Sequence, residues 1–301
     1  MKHDILIIGS SNTDMVIQTE HLPAPGETIL GGTFFISAGG KGANQAVAAA
    51  RLGGAVTFIC KVGNDMFGNQ AKALFAQEGI DTTHLLTDAV LPSGIALIMV
   101  DKQAENVIAV ASGANAALTP TDLQHIDALL NTSTIILMQL EIPLTTVQYV
   151  ASKAFSKGIP MILNPAPACS LQDELLQCIS IITPNETEAE ILTGVKVTDI
   201  ASAQQAANVL YGKGIPTVII TMGINGALVL HNGTFTHVPT IIVQAVDTTA
   251  AGDVFNGALA VALSQGKAVT DAAAFACKAA SISVTRLGAQ TSAPYRHEIA
   301  D

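Results

Sequence analysis

The chain has 301 residues, 49% of them hydrophobic and only 13% charged, which suits one large core or two modest ones and excludes disorder as the main state. Fourteen Lys and Arg against 24 Asp and Glu leave a formal charge of -10 with no basic cluster to offset it, so nucleic acid is not an expected partner. No apolar run reaches the roughly 18 residues of a membrane span, and the short apolar run after the charged start is no signal peptide, so the expected state is soluble and cytoplasmic with no membrane contact.

Short Ile, Val and Leu runs alternate with Ala-rich stretches of helical length, which predicts an α/β fold with a mostly parallel sheet flanked by helices. Core strands are expected at 5–9, 55–62, 134–138, 161–164, 179–183 and 217–221, and helices at 42–52, 65–78, 143–157, 201–213 and 252–265. Residues 13–38 and 93–111 break the rhythm. The second holds a hairpin pattern, 94–101 and 106–111, with no crossover helix. These segments either form a small antiparallel sheet attached as a lid or extend the edge of the main sheet. With no linker or repeat, the expectation is one domain over 1–301 with the lid inserted. Cys60, Cys169, Cys178 and Cys277 are scattered without ligand spacing and read as buried thiols.

Candidate chemistry lies at strand ends. The first strand runs into Gly9-Ser10-Ser11-Asn12-Thr13-Asp14, where open α/β sheets bind ligands, although turn and capping chemistry would also use Asn12 and Asp14. Neither G-x-G-x-x-G at that turn nor G-x-x-x-x-G-K-[ST] anywhere is present, which removes dinucleotide and P-loop readings. Gly39-Gly40-Lys41-Gly42 leads into a helix with Asn44 in its first turn, more glycine than a plain junction needs. Asn185 and Glu188 lie one helical turn apart, a spacing for hydrated Mg²⁺ or for a solvated acidic first turn. Thr221 to Gly226 is a nucleotide-facing glycine turn or a hairpin turn. Asp247 to Ala258 sets small residues before a helix, so its amides can face an anion. Asp253 at the helix start is either a cap or a base beside a bound phosphoryl group.

Together these stretches resemble the ribokinase family of carbohydrate and nucleoside kinases over essentially the whole chain. The likeness rests on Gly39 to Asn44, on Ala250-Ala251-Gly252-Asp253 with Gly257-Ala258-Leu259, and on Asn12-Thr13-Asp14, Gln139-Leu140-Glu141, Asn164 to Ala168, Thr183 to Glu190 and Arg286 to Gln290. It implies a three-layer sandwich with a small β lid that mediates a homodimer. The implied reaction is phosphorylation of D-ribose by ATP at its 5-hydroxyl. By the same resemblance Asn12, Asp14, Gly40, Lys41, Gly42, Asn44 and Glu141 contact the sugar. Asp253 is the base, with Ala250, Ala251 and Gly252 in an anion hole, and Asn185, Thr221, Gly223, Gly226, Gly252 and Cys277 line the ATP site. Glu188 organises Mg²⁺ through water, and Asp247, Thr249, Ser283, Arg286, Gly288 and Ser292 surround K⁺. Cys277 replaces a His found near adenine in similar members, and the few residues after Ile299 imply a shortened terminal helix. The alternatives are a fructokinase, deoxyribose kinase or adenosine kinase of the same family, or a sugar-binding regulator without turnover.

Overall fold

The computed structural model describes residues 4–299 apart from 104 and 125. The chain opens with β1 (Asp4–Ile8), β2 (Asn12–Gln18), β3 (Thr33–Gly39), α1 (Lys41–Arg51), β4 (Ala55–Ile59), β5 (Lys61–Gly63) and α2 (Met66–Gln77). There follow β6 (Leu86–Asp88), β7 (Gly94–Val100), β8 (Asn106–Ala111), α3 (Ile126–Leu130), β9 (Ser133–Met138), α4 (Leu144–Lys157), β10 (Met161–Leu163), α5 (Asp173–Leu176) and β11 (Ile181–Ile182). The remaining elements are α6 (Glu186–Thr193), α7 (Ile200–Gly212), β12 (Thr217–Thr221), β13 (Ala227–His231), β14 (Thr234–Val238), α8 (Ala251–Ser264) and α9 (Val269–Ser283).

Eight strands form the main sheet in the order β14-β13-β12-β11-β10-β9-β1-β4. From β4 to β12 all neighbours are parallel, and the β12–β13–β14 end is antiparallel. The alternation of side chains across a strand divides the core. Ile5 and Ile7 of β1 enter one apolar cluster with residues of α1, α8 and α9, whereas Leu6 and Ile8 enter the other with residues of α4 and α7. A strand apolar at every position is therefore buried on both faces, and the expected three-layer arrangement is present. Helix ends follow local chemistry. Asp65 accepts from the Gly68 amide to start α2, and Gly158 in the left-handed region stops α4.

The strands β3-β2-β7-β8 form a separate four-stranded sheet, so they do not extend the main one. Their central pair, β2 and β7, is parallel rather than antiparallel. Three expectations need correction. The strand expected over 55–62 breaks at Cys60, because β5 leaves the main sheet to pair with β6. The strand expected over 179–183 is only Ile181–Ile182. Of the four cysteines expected to be buried, Cys169 is exposed and Cys178 only half-buried, while of the two readings of the turn after β12 the hairpin is present, since β13 returns antiparallel. Among the described residues no helix is long and apolar enough to cross a membrane.

Candidate active site

The C-terminal end of β1 and the start of α1 lie against each other. Gly40 caps α1 at φ 90°, and a Cβ there would stand 2.6 Å from the Asn12 amide nitrogen. Gly42 has the same constraint, its Cβ falling 2.6 Å from the Ser10 nitrogen. This close approach requires glycine, and it lays the first turn of α1 across the strand ends. Glu141, just beyond β9, fastens the junction: its Oε2 accepts from Ser10 Oγ at 2.5 Å and from the Lys41 amide at 2.9 Å. Its Oε1 makes no hydrogen bond among the described residues. Asn115 holds the other strand end. Its Oδ1 accepts from the Ser11 amide, and its Nδ2 donates to Ser11 O and, at 2.7 Å, to Asn12 Oδ1.

Asp253 is buried in the first turn of α8. Asn44 Nδ2 donates to its Oδ2 and Gln45 Nε2 to its Oδ1, both at 2.9 Å. Asn44 Oδ1 is buried without a partner among the described residues. Burial pushes the Asp253 carboxyl up, and Lys41, Asn44 and Gln45 only partly counter it, so its proton affinity is raised. Asp14 rises to about 6, chiefly by burial and then by the charges of Glu141 and Asp253. Burial would lower Lys41, but Asp253, Glu141, Glu188 and Asp14 around it hold its pKa above the usual value. One ammonium thus serves four carboxyl groups and forms a close ion pair with none among the described residues.

Beside Asp253 opens a cleft of about 160 Å³ lined by Lys41, Asn164, Thr183, Asn185, Glu188, Thr221, Thr248, Ala250 to Asp253 and Asn256. At its mouth α8 begins without a side-chain cap: Ala250 occupies the N-cap at φ 59°, a left-handed conformation uncommon for alanine. The Gly252 and Asp253 amides have no acceptor among the described residues, and a Cβ on Gly252 would meet nothing within 4 Å. Free amides at a helix start, in open space, suit an anion. Asn256 supports this turn, accepting from Thr183 Oγ1 and donating to Gly252 O. Asn185 and Glu188 form a reciprocal cap at the start of α6, so Glu188 Oε2 is occupied by the Asn185 amide while Oε1 makes no hydrogen bond among the described residues. Burial raises the Glu188 pKa, partly opposed by the Asn185 amide and Lys41. A second opening, about 340 Å³, is lined by Asn12, Val110, Ser112, Asn115, Leu140 and Glu141 among others, where the smaller sheet faces the strand ends.

Most of the expected residues converge here. Asn12, Lys41, Asn44, Glu141, Asn185, Glu188, Thr221, Gly252 and Asp253 line or border the two openings, and Asp14 lies within electrostatic reach. Gly223 and Gly226 belong to the β12–β13 turn and do not line the first cleft. Cys277 is packed in the apolar core with its thiol pushed up to about 12 by burial, and it lines neither opening. Of the residues expected around K⁺, Asp247 and Thr249 precede α8, Ser283 ends α9, and Arg286, Gly288 and Ser292 follow it, and Asp247 joins the two stretches. There Asp247 accepts from the Thr249 amide at 2.9 Å and the Gly288 amide at 2.8 Å, which hold its pKa down against burial. The Arg286 guanidinium pairs with Glu298 and, being a cation with donors only, cannot ligate another cation, so that residue has only its main-chain oxygen to offer one. Sequence reasoning missed the roles of Ser10, Gln45, Asn115, Gln139, Asn164 and Asn256. Gln45, directly after Asn44 in the glycine motif, carried the clearest available signal.

A parallel sheet with a polar cleft at its strand ends and an uncapped helix start beside a buried carboxylate is the build of a phosphoryl-transfer enzyme. The model of the pfkB family of carbohydrate kinases matches residues 2–296, and the chain belongs to that family. It is 50% identical to a ribokinase of Haemophilus influenzae over 298 residues, covering 99% of this chain and 97% of that one. It is 40% identical to a deoxyribokinase of Salmonella typhi over 292 residues, covering 97% and 95%. A solved structure of Arabidopsis thaliana ribokinase complexed with ribose and ATP superposes with a TM-score of 0.93 at 33% identity, covering 99% of this chain and 97% of that one.

Proposed function

We propose that this chain transfers the γ-phosphoryl group of ATP to the 5-hydroxyl of D-ribose, yielding D-ribose 5-phosphate and ADP. The observation that carries the reading is Asp253: a buried carboxylate with raised proton affinity, held by two amides, beside helix-start amides that lack an acceptor among the described residues. In this reading the sugar occupies the opening bordered by Asn12, Asp14, Gly40 to Asn44 and Glu141. These oxygen- and amide-rich partners suit hydroxyl groups better than a charged phosphate. Asp253 takes the proton from the attacking hydroxyl, and the Gly252 and Asp253 amides receive charge developing on the transferred group. Asn185 and Thr221 border the ATP side. The smaller sheet closes over the sugar and excludes water.

The free Glu188 Oε1 suits a hydrated Mg²⁺, which when bound would supply positive charge to the phosphate oxygens. Asp247 and the oxygens of the loops it ties together suit K⁺, which would brace the turn leading into α8. The exposed apolar residues Phe34, Phe35, Ile36, Leu97, Val107, Ile108 and Val110 on the smaller sheet support a homodimer formed through it. The reaction's substrates, ATP and a free sugar, fit a cytoplasmic location.

An ADP-release assay over pentoses, hexoses and nucleosides, with and without K⁺, tests the assignment. D-ribose should give the highest kcat/KM. A preference for deoxyribose, fructose or adenosine would move the chain to a sister activity, and ribose binding without turnover would make it a regulator. Asp253→Asn should lower kcat by roughly 10²- to 10⁴-fold, and near-normal turnover would remove Asp253 as the base.

A further inference from the structure

We infer that Gln45 is a positioning residue, held by Gln139 and Asn164, that fixes the orientation of the Asp253 carboxylate and keeps it ready to accept a proton. The inference rests on the reading of Asp253 as the base. Gln45 is fully buried one position beyond Asn44 on α1. Its Nε2 donates to Asp253 Oδ1 at 2.9 Å and to Asn164 Oδ1 at 3.0 Å, while its Oε1 accepts from Gln139 Nε2 at 2.5 Å. Both amide hydrogens are committed. Exchanging the two ends of the amide would put Oε1 against the Asp253 and Asn164 oxygens and set two NH₂ groups face to face at Gln139. Only one orientation is compatible with these neighbours.

The partners distinguish this network from ordinary core satisfaction. Gln139 and Asn164 lie at the ends of β9 and β10, so the amide chain couples two sheet strands to the carboxylate on α8. Asn44 holds the second carboxylate oxygen from the same helix, so two neighbouring residues of α1 fix its plane. A carboxylate fixed in this way needs no rotation when the hydroxyl arrives. The charged groups facing Asp253, namely Lys41, Asp14, Glu141 and Glu188, do not bond to Gln45, so replacing it by the uncharged Met changes the amide network alone.

The experiment compares pH profiles of kcat for the wild-type chain, Gln45→Met, the isosteric Gln45→Glu and Gln139→Met, with Asp253→Asn alongside. Losing one donor to the charged form should raise the pH of the acid limb in Gln45→Met by about one unit and lower kcat about tenfold, with the ribose KM within about threefold. Gln45→Glu makes two carboxyl groups share a proton, so activity lost at pH 7 should return as pH rises. Gln139→Met should move the limb the same way by less, and it carries the test if either Gln45 variant fails to fold. An acid limb unmoved in every folded variant overturns the inference. If Asp253→Asn is inactive in that case, the base assignment stands and only the positioning role is lost. If Asp253→Asn turns over normally, the base assignment itself has failed.

Discussion

Helix α1 carries Asn44 and Gln45 and α8 carries the Asp253 that they bond, and Gly257 of α8 packs directly against α1. A Cβ at this buried position would lie 2.7 Å from Gln45 O, 2.9 Å from Ala48 Cβ and 3.0 Å from Ala49 N, against an ordinary contact of 3.4–4 Å. Alanine in mid-helix gains about 1 kcal/mol of propensity over glycine, whereas overpacking a core costs about 1–3 kcal/mol. Gly257→Ala should therefore be destabilised by up to about 2 kcal/mol. Gly212→Ala, at the open end of α7 where a Cβ meets nothing within 4 Å, supplies the propensity gain without the clash. The two variants should melt several degrees apart, at about 2–4 °C per kcal/mol for a domain of this size. The backbone oxygen struck first belongs to Gln45, whose side chain holds Asp253. A displacement of a few tenths of an ångström should therefore lower kcat about tenfold while affecting the ribose KM less. Melting curves and steady-state kinetics on both variants decide the matter. Gly257→Ala melting level with Gly212→Ala, with full kcat, would refute the helix-contact argument.

Asp14 gives a pH prediction. Its pKa is raised from 3.8 to about 6, so the native state binds this proton more tightly than the unfolded chain, and wild-type stability falls as pH rises between these values. Above pH 6 the cost reaches up to about 3 kcal/mol, and Asp14→Asn escapes it. The variant's melting advantage should be near zero at pH 4 and several degrees at pH 8, while its ribose KM rises. An equal difference at both pH values would show that Asp14 is not shifted. Asn115→Ala strands the Ser11 amide and Asn12 Oδ1, both buried, and should cost about 2–4 kcal/mol in denaturant unfolding. In the same variant the ribose KM should rise more than kcat falls, and an unchanged KM would separate Asn115 from the sugar pocket.

Much of the sheet was legible because strands buried on both faces are apolar throughout, as residues 5–8 are. The smaller sheet was legible because its hairpin lacks a crossover helix. Its parallel β2–β7 pairing was not, since two distant segments choose each other only in the folded chain. The break at Cys60 escaped because residues 55–62 keep one apolar pattern across two sheets. Helix α9 escaped because a run of alanines shows little contrast between faces. In the site, the glycine motif and the residues before α8 were visible as local patterns. The spatial isolation of Cys277 from both openings was not, because a cysteine reads alike in a core and beside a ligand.

The amino-acid sequence by itself determined the α/β class, the turns that must be glycine, the family and the identity of the carboxylate at 253, because each depends on residues close together in the chain. Only the tertiary structure decided that Gln45 meets Asp253 across 208 residues, that Gln139 and Asn164 lock the amide between them, and that four carboxyl groups share Lys41. Hydrogen-bond partners and proton affinities are set by through-space distance and burial, and neither is encoded in spacing along the chain.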